Sequence, residues 1–167
     1  MPSKILIHDL DDEIANDLVI ANDVQIINAR HAYAACRGCF GCWLHTPGYC
    51  IMKDQLHRIG ADISHADEVL VISRCVYGGL SPEVKKVWDR CIPGVLPFFT
   101  HREGKMHHMR RYTHERSITM LFYGDITADE KALAEKIAKG NSINFCAKTW
   151  DVQFAQSAQQ IPMVCKI

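Results

Sequence analysis

The stretch ADEVLVISRCVYGGLSPEVKKVWDR, residues 66–90, carries the clearest fold signal in the chain. Its apolar run EVLVIS (68–73) is nearly continuous, as in a parallel strand that is buried on both faces. A glycine-containing turn follows, and Ser81 with Pro82 makes a good N-cap and first position for a helix. The spacing of one buried helical face then recurs at Val84, Val87, Trp88 and Cys91. The stretch therefore predicts a strand, a turn and a helix packed on the sheet.

Four further apolar runs predict strands around this unit: KILIHDL (4–10), VQIIN (24–28), SITMLFYGD (117–125) and TWDVQF (149–154). Helical patterns lie between them. Asp54 is expected to cap a helix with Leu56, Ile59 and Ile63 on one face, and Thr127 with Glu130 forms a capping box. The alternation predicts an open, doubly wound α/β sheet of five parallel strands in the order 2-1-3-4-5, with helices on both faces.

Length and composition predict one domain over residues 1–167, with the final helix missing because only a short tail follows Phe154. Hydrophobic residues make up 48% of the chain and its formal net charge is zero, so neither a nucleic acid nor a membrane is an expected partner. The N-terminus lacks the basic and long apolar regions of a signal peptide, which predicts a cytoplasmic protein. In that reducing compartment the eight cysteines are not expected to form structural disulfides.

Four cysteines are concentrated in CRGCFGCWLHTPGYC, residues 36–50. Thiolates suit iron–sulfur clusters and zinc, and a C-x2-C-x2-C run with a more distant fourth cysteine is the spacing of a [4Fe-4S] loop. The predicted metal ligands are Cys36, Cys39, Cys42 and Cys50. Two alternatives stay open at this point: zinc or thiol redox chemistry, with His45 as a spare ligand, and cysteines that simply pack in a loop.

In an open parallel sheet, ligands bind beyond the carboxyl ends of the strands. The segments expected at that edge are HDLDDE (8–13), SRCVYGGLSPE (73–83) and FYGDITADE (122–130). The basic segment HREGKMHHMRRYTHER (101–116) carries five Lys and Arg and four His against two Glu, and it precedes the fourth predicted strand. It is therefore expected near the opposite edge, where it either binds an anion such as a nicotinamide phosphate, meets an acidic partner, or forms a solvated face.

The combination over residues 36–90 resembles the flavodoxin-like superfamily, and within it the NADPH-dependent FMN reductase group and its iron–sulfur flavoprotein branch. The cysteine run into Lys53-Asp54, the loop after the third strand, and the Lys85, Asp89 and Arg90 positions of the following helix carry the resemblance. It implies an FMN site whose residues are Cys75, Val76, Tyr77, Gly78 and Gly79, with Tyr123, Gly124 and Asp125 as the neighbouring wall. Tyr77 would be an aromatic neighbour of the flavin ring, whose electronics the protein tunes.

The first turn departs from the family pattern. The family places a loop rich in Gly, Ser, Thr and Asn there, whereas this chain has His8-Asp9-Leu10-Asp11-Asp12-Glu13. Carboxylates so placed would repel a phosphate dianion by about 1 kcal/mol per pair at ~4 Å in water.

The function predicted from these features is a flavodoxin-like oxidoreductase that moves electrons through FMN, with a [4Fe-4S] cluster on the four cysteines and a small-molecule or protein redox partner. NAD(P)H-dependent, FMN reductase-like activity is implied by the resemblance. The alternative is a binding or assembly protein that kept the fold and lost its flavin, which the acidic turn favours. A homo-oligomer is expected, because a missing final helix would expose apolar sheet surface near Thr149–Phe154.

Overall fold

The computed structural model describes residues 3–164, so Cys165 lies outside the described residues. Seven strands are present: β1 (Lys4–His8), β2 (Val24–Asn28), β3 (Glu68–Arg74), β4 (Val95–Arg102), β5 (Lys105–Arg110), β6 (Ser117–Tyr123) and β7 (Thr149–Ala155). Five of them form one parallel sheet in the order β2-β1-β3-β6-β7. This is the predicted 2-1-3-4-5 order of a doubly wound sheet, which is thereby confirmed.

The helices are α1 (Asp12–Asn16), α2 (Gly41–Leu44), α3 (Ile59–His65), α4 (Pro82–Asp89), α5 (Ala128–Asn144) and α6 (Ile161–Val164). The predicted caps of the two long helices are confirmed: Ser81 Oγ accepts from Val84 N at 3.2 Å, and Thr127 forms a capping box with Glu130. None of the helices within residues 3–164 is long and apolar enough to cross a membrane.

Helix α3 begins later than predicted, at Ile59 instead of directly after Asp54. The Asp54 carboxylate does accept from Leu56 N at 3.1 Å, but it also binds the Arg90 guanidinium, which holds it on the side of α4. Leu56 and Ile59 are nevertheless fully buried, as their spacing predicted. A long-range ion pair has therefore shifted the start of the helix.

The sheet buries apolar side chains on both faces. One face packs against α3, α4 and α5 through a core that includes Ile7, Val71, Val87 and Phe122. The other is covered near the carboxyl ends of the strands by the segment around α1 and by the chain after β7, through Leu6, Leu18, Leu121 and Ile161. Continuous apolar runs in the sequence reflect this two-sided burial.

After β7 the described residues form one 3-10 turn (Ala158–Gln160) and then α6, and the predicted absence of a final helix is not tested beyond residue 164. Thr149, Asp151 and Gln153 are exposed polar residues on one face of β7. On the other face Trp150 is exposed while Val152 and Phe154 are partly buried, so neither face carries an extended apolar patch. The homo-oligomer was expected because of an exposed apolar surface near Thr149–Phe154, which the described residues do not form. It stays a prediction.

Residues 95–110, for which no strand was predicted from the sequence, form the antiparallel hairpin β4–β5. Its position at the amino-terminal edge of the sheet agrees with the expectation for the basic segment. Arg102 Nη1 donates to Cys146 Sγ at 2.8 Å, just beyond the end of α5. The strands were missed because Pro97 and a register shift interrupt β4, and because β5 is largely Lys, Arg and His, so neither strand shows a regular two-residue alternation.

Two glycines let the segment after α4 approach α3. A Cβ at Gly60 would lie 2.9 Å from Gly94 N and 3.0 Å from Cys91 O, and a Cβ at Gly94 would lie 2.8 Å from Gly60 O. These neighbours are backbone atoms and cannot rotate away. The contact therefore requires glycine at both positions and fixes the end of α4 against α3.

We expect Gly60→Ala to lower the free energy of unfolding by on the order of 2 kcal/mol, because overpacking against backbone forces the segments apart. Urea denaturation followed by circular dichroism measures this. The matched control is Gly140→Ala in α5, where a Cβ meets nothing within 4 Å and the change should be neutral or stabilising. Equal stability of the two variants would contradict the close approach.

Candidate functional site

All four cysteines of the predicted ligand set line one cavity of about 380 Å³: Cys36, Cys39, Cys42 and Cys50. The opposite wall comes from the carboxyl ends of α4 and α5 and includes Trp88, Arg90, Asn141, Asn144 and Phe145. Concave, mostly apolar sites of this size with a few polar groups are typical of ligand and cofactor sites.

The cysteine loop, residues 29–58, is shaped by local backbone geometry. Gly38 and Phe40 have positive φ angles of 63° and 55°, which turn the chain between the first three cysteines. The short α2 then begins at Gly41, and Trp43 Nε1 donates to Val95 O at 3.0 Å. Cys50 N donates to His57 O at 2.9 Å, which fixes the backbone at the fourth cysteine. Cys50 lines the same cavity as the first three cysteines.

Arg90 is the charged group of the cavity. Its side chain is fully buried, and it binds Asp54 through two hydrogen bonds, Nη1–Oδ2 at 2.9 Å and Nη2–Oδ1 at 2.6 Å. Nη1 also donates to Ala34 O at 2.8 Å. Burial alone would lower the pKa of Arg90, but the hydrogen bond to Asp54 and the adjacent Cys50 sulfur hold that pKa above its ordinary value. Arg90 is thus a fixed cation beside the thiols.

The four thiols differ in accessibility. Cys36 and Cys39 are exposed, whereas Cys42 and Cys50 are buried. Burial, with smaller contributions from the neighbouring Cys50, Cys36 and Cys39, raises the pKa of Cys42 to about 11. In the absence of a metal this thiol is protonated at neutral pH and a poor nucleophile.

The thiols surround the cavity but are not in contact as a preformed ligand set. Across residues 3–164, no three His, Cys, Asp or Glu side chains are arranged to hold a metal ion. The donor chemistry nevertheless fits a thiolate-ligated centre, since four sulfurs and a buried cation line one apolar cavity.

The cavity lies at the amino-terminal edge of the sheet. Helix α5 starts after the carboxyl end of β6 and returns, so that Phe145 O accepts from Arg116 Nη1, just before β6 begins. Glu130, near the start of α5, and Asn144, at its end, are about 20 Å apart at 1.5 Å per residue. The cysteines and the predicted flavin loops are thus separated by most of the length of α5.

At the carboxyl edge, Asp9 links the ends of three strands. Its buried carboxylate accepts from Arg74 N at 3.0 Å and from Tyr123 Oη at 3.0 Å. Burial and the adjacent Asp9 charge raise the pKa of Tyr123. Beyond it, Asn28 binds Asp12 and Arg30 binds Asp11, so the acidic turn is held by side chains after β2.

The predicted flavin loop after β3 forms a tight turn. Val76 and Gly79 donate to each other's carbonyls at 3.0 and 2.9 Å, so their amides are already used within the turn. Tyr77 is 88% exposed at the tip, with φ 50°. Gly78 packs on α5, where a Cβ would lie 2.9 Å from Leu133 Cβ. Burial raises the pKa of the Cys75 thiol, which makes this thiol a weaker nucleophile.

The three residues predicted to form the neighbouring wall of the flavin site do not lie together. Tyr123 points toward Asp9 between β1 and β3, whereas Gly124 and Asp125 line a separate cavity of about 320 Å³ with Lys131 and Phe154. The structure therefore brings Tyr123 near the β3 loop but places the other two residues on the β7 side.

Solved structures of other proteins share the fold of this chain. An FMN-dependent NADH-azoreductase from Bacillus anthracis str. Ames Ancestor, solved in complex with FMN, matches with a TM-score of 0.57 over 95% of this chain and 89% of its own, at 12% identity. The azoreductase AzrA matches with a TM-score of 0.55 over 96% of this chain and 89% of its own, at 9% identity. The fold is flavodoxin-like. No protein-family model and no curated protein matches the sequence.

Sequence reasoning found the four thiols but missed the wall opposite them. Arg90 and Asp54 were recognised only as positions that match a family pattern, and Trp88 only as a core residue. The sequence signal for this wall was an arginine at the end of a helix with one apolar face, a position where the side chain can be buried. A buried arginine needs a carboxylate partner.

We expect Asp54→Asn to destabilise the protein by on the order of 3 kcal/mol, because the buried Arg90 guanidinium would lose its counter-charge. Urea denaturation at neutral pH measures this. The control is Asp11→Asn, whose partner Arg30 is exposed and whose loss should cost less than about 1 kcal/mol.

The same pair predicts a pH dependence. The Arg90 hydrogen bond holds the pKa of Asp54 below its usual value, so its stabilisation is complete above the unfolded-state pKa of about 4 and is lost as pH falls through the lower folded-state pKa. The Asn variant should lack this part of the acid dependence. Parallel stability curves for both proteins below pH 4 would contradict the assignment.

Proposed function

We propose that this chain is a flavodoxin-like oxidoreductase whose redox centre is a [4Fe-4S] cluster bound by Cys36, Cys39, Cys42 and Cys50. The observation that carries the proposal is the convergence of these four thiols on one cavity beside a buried arginine. A cluster would supply one-electron transfer, and its potential would depend on burial, charge and hydrogen bonds around the sulfurs.

The chain's own residues have separable roles in this proposal. Cys42 and Cys50 provide two buried ligands, and binding of iron would deprotonate Cys42 despite its raised pKa. Cys36 and Cys39 would provide the two ligands on the exposed side of the cavity. Arg90 adds positive charge next to the Cys50 sulfur and would offset the net negative charge of four thiolates.

Solvent exclusion comes from the helix ends. Trp88 is 3% exposed, donates from Nε1 to Asn141 Oδ1 at 2.8 Å and packs edge-on against Phe145 with ring centroids 4.9 Å apart. This rigid apolar wall keeps water from one side of the cavity, which is a principal means by which a protein tunes a cluster.

FMN is included in the proposal because the structurally similar azoreductase was solved in complex with it. The carboxyl edge of the sheet in this chain suits the flavin ring of FMN but not its phosphate. The exposed ring of Tyr77 is available to stack on a flavin ring. The phosphate does not fit. Asp11, Asp12 and Glu13 are exposed carboxylates at the turn, and α1 has only five residues. We therefore derive no step through FMN.

The cluster is tested by anaerobic reconstitution of the full chain with ferrous iron and sulfide. We expect about four iron atoms per chain with a broad visible absorption, and loss of both in each of the four Cys→Ser variants, because serine ligates iron poorly. Iron analysis and absorption spectra measure this. Cys75→Ser, a half-buried cysteine at the other edge of the sheet, is the matched control and should keep its iron.

Three results would overturn the cluster. The first is a colourless protein with all four thiols reduced, the second is one tightly bound zinc per chain, and the third is a spectrum that survives the Ser variants. Thermal melts of each variant separate loss of ligation from loss of fold, since Cys42 and Cys50 are buried. A colourless, iron-free protein would favour the flavin-less binding or assembly protein.

The flavin site is tested by comparing FMN with riboflavin. We expect the two to bind within about threefold of each other, because the acidic turn cancels any gain from the phosphate. The double variant Asp11→Asn/Asp12→Asn should tighten FMN by about tenfold without affecting riboflavin, because it removes two carboxylates and frees Arg30. Flavin fluorescence titration measures both.

Asp151→Asn, an exposed carboxylate on β7, is the control for general charge effects and should leave both affinities unchanged. Wild-type protein that binds FMN more than about tenfold tighter than riboflavin would show that the phosphate is accepted, contrary to this reasoning.

A further inference from the structure

A continuous run of aromatic rings connects the cysteine cavity to the hairpin. Phe40, which lines the cavity, stacks on Trp43 with centroids 5.4 Å apart. Trp43 contacts His108 at 5.1 Å, and His108 contacts Phe99 at 4.8 Å. His108 Nδ1 pairs with Leu96 O at 2.8 Å, which fixes the ring between the two strands. We call these four residues the aromatic ridge.

The ridge is exposed at both ends. Phe40 is 57% and Phe99 is 60% exposed, and the large apolar side chains of Leu44 and Met106 are also exposed on the same two segments. Single exposed apolar residues are ordinary, but a cluster of this kind on adjoining segments is characteristic of a protein-interaction surface.

Positive charge surrounds the ridge. Arg110, on the same face of β5 as His108, and Arg37 beside the cavity are exposed. Asp89, which also lines the cavity, is paired with Lys85. The nearest acid of the hairpin, Glu103, is bound to Lys139 at 3.1 Å, so it contributes little free negative charge. Since the chain as a whole has zero net charge, this surface is locally basic.

We propose that the aromatic ridge and its basic rim are the docking surface for an acidic electron-transfer protein. The inference rests on the proposed function in one respect, namely that the cavity bordered by Phe40 is the redox centre that such a partner would need to approach. An apolar centre would give the contact its affinity, and the charged rim would steer association.

Charge decides between this partner and a second copy of the chain. A two-fold dimer through the ridge would bring the same surface together twice, so the arginines Arg37 and Arg110 of each copy would approach like charges. Such juxtaposition opposes association, whereas an acidic surface would pair with every group of the rim. The structure therefore favours the acidic partner.

The probe is a purified, strongly acidic ferredoxin, titrated into the full chain by isothermal calorimetry at low and high ionic strength. Wild type should bind in the micromolar range at low salt, as weak redox complexes do. Phe99→Ser should weaken binding by about tenfold at both salt concentrations. Arg110→Glu should weaken it by about fivefold at low salt and much less at high salt.

Two matched controls lie outside the ridge. Val19→Ser removes an equally exposed apolar side chain, and Lys131→Glu reverses a charge at the carboxyl edge of the sheet. Both should bind the ferredoxin as wild type does. Absence of binding by wild type, or equal losses in the controls, would overturn the proposal.

Sedimentation of the chain alone supplies a further decisive outcome. A dimer that Phe99→Ser dissociates would assign the ridge to a second copy and overturn the acidic partner.

Titrations are run on iron-free and iron-reconstituted protein. Docking without any iron uptake would count against the cluster alone, and iron uptake without docking would count against this surface alone.

Discussion

The buried ion pair between Arg90 and Asp54 is the interaction on which the candidate site depends. It joins the end of α4 to the end of the cysteine loop, and the Ala34 carbonyl accepts a third hydrogen bond from the guanidinium. A buried charge is costly unless its partners are well placed, so the pair strongly restricts where the loop can lie. By holding the loop against α4 and α5, it makes one cavity from four cysteines that are distributed over fifteen residues.

The sheet separates two chemically different edges. At the carboxyl edge, Asp9 joins three strands and carboxylates follow it, so the edge is acidic and largely satisfied by internal hydrogen bonds. At the amino edge, the thiols, Arg90 and the basic hairpin lie together. A flavodoxin-like fold therefore does not by itself specify which edge carries the chemistry, because function depends on the side chains placed there.

The hairpin links the proposed redox centre to the surface. It is anchored on one side by Arg102 at the end of α5 and on the other by the contact of His108 with Trp43. Each anchor is supported by an interior hydrogen bond, from Arg102 to Cys146 and from Trp43 Nε1 to Val95 O, while the neighbouring rings of Phe40 and Phe99 remain exposed. A rigid, exposed aromatic surface of this kind costs little conformational entropy on binding, which suits a transient partner.

The sequence by itself determined the five strands of the parallel sheet, their order and the caps of α4 and α5, because these follow from local hydrogen bonding and from apolar runs that are buried on both faces. It also determined which cysteines belong together. Only the tertiary structure decided where they lie, since the edge is set by the long-range pair of Asp54 and Arg90, 36 residues apart. It likewise revealed the hairpin, whose strands are stabilised by each other and by α5 rather than by any local pattern.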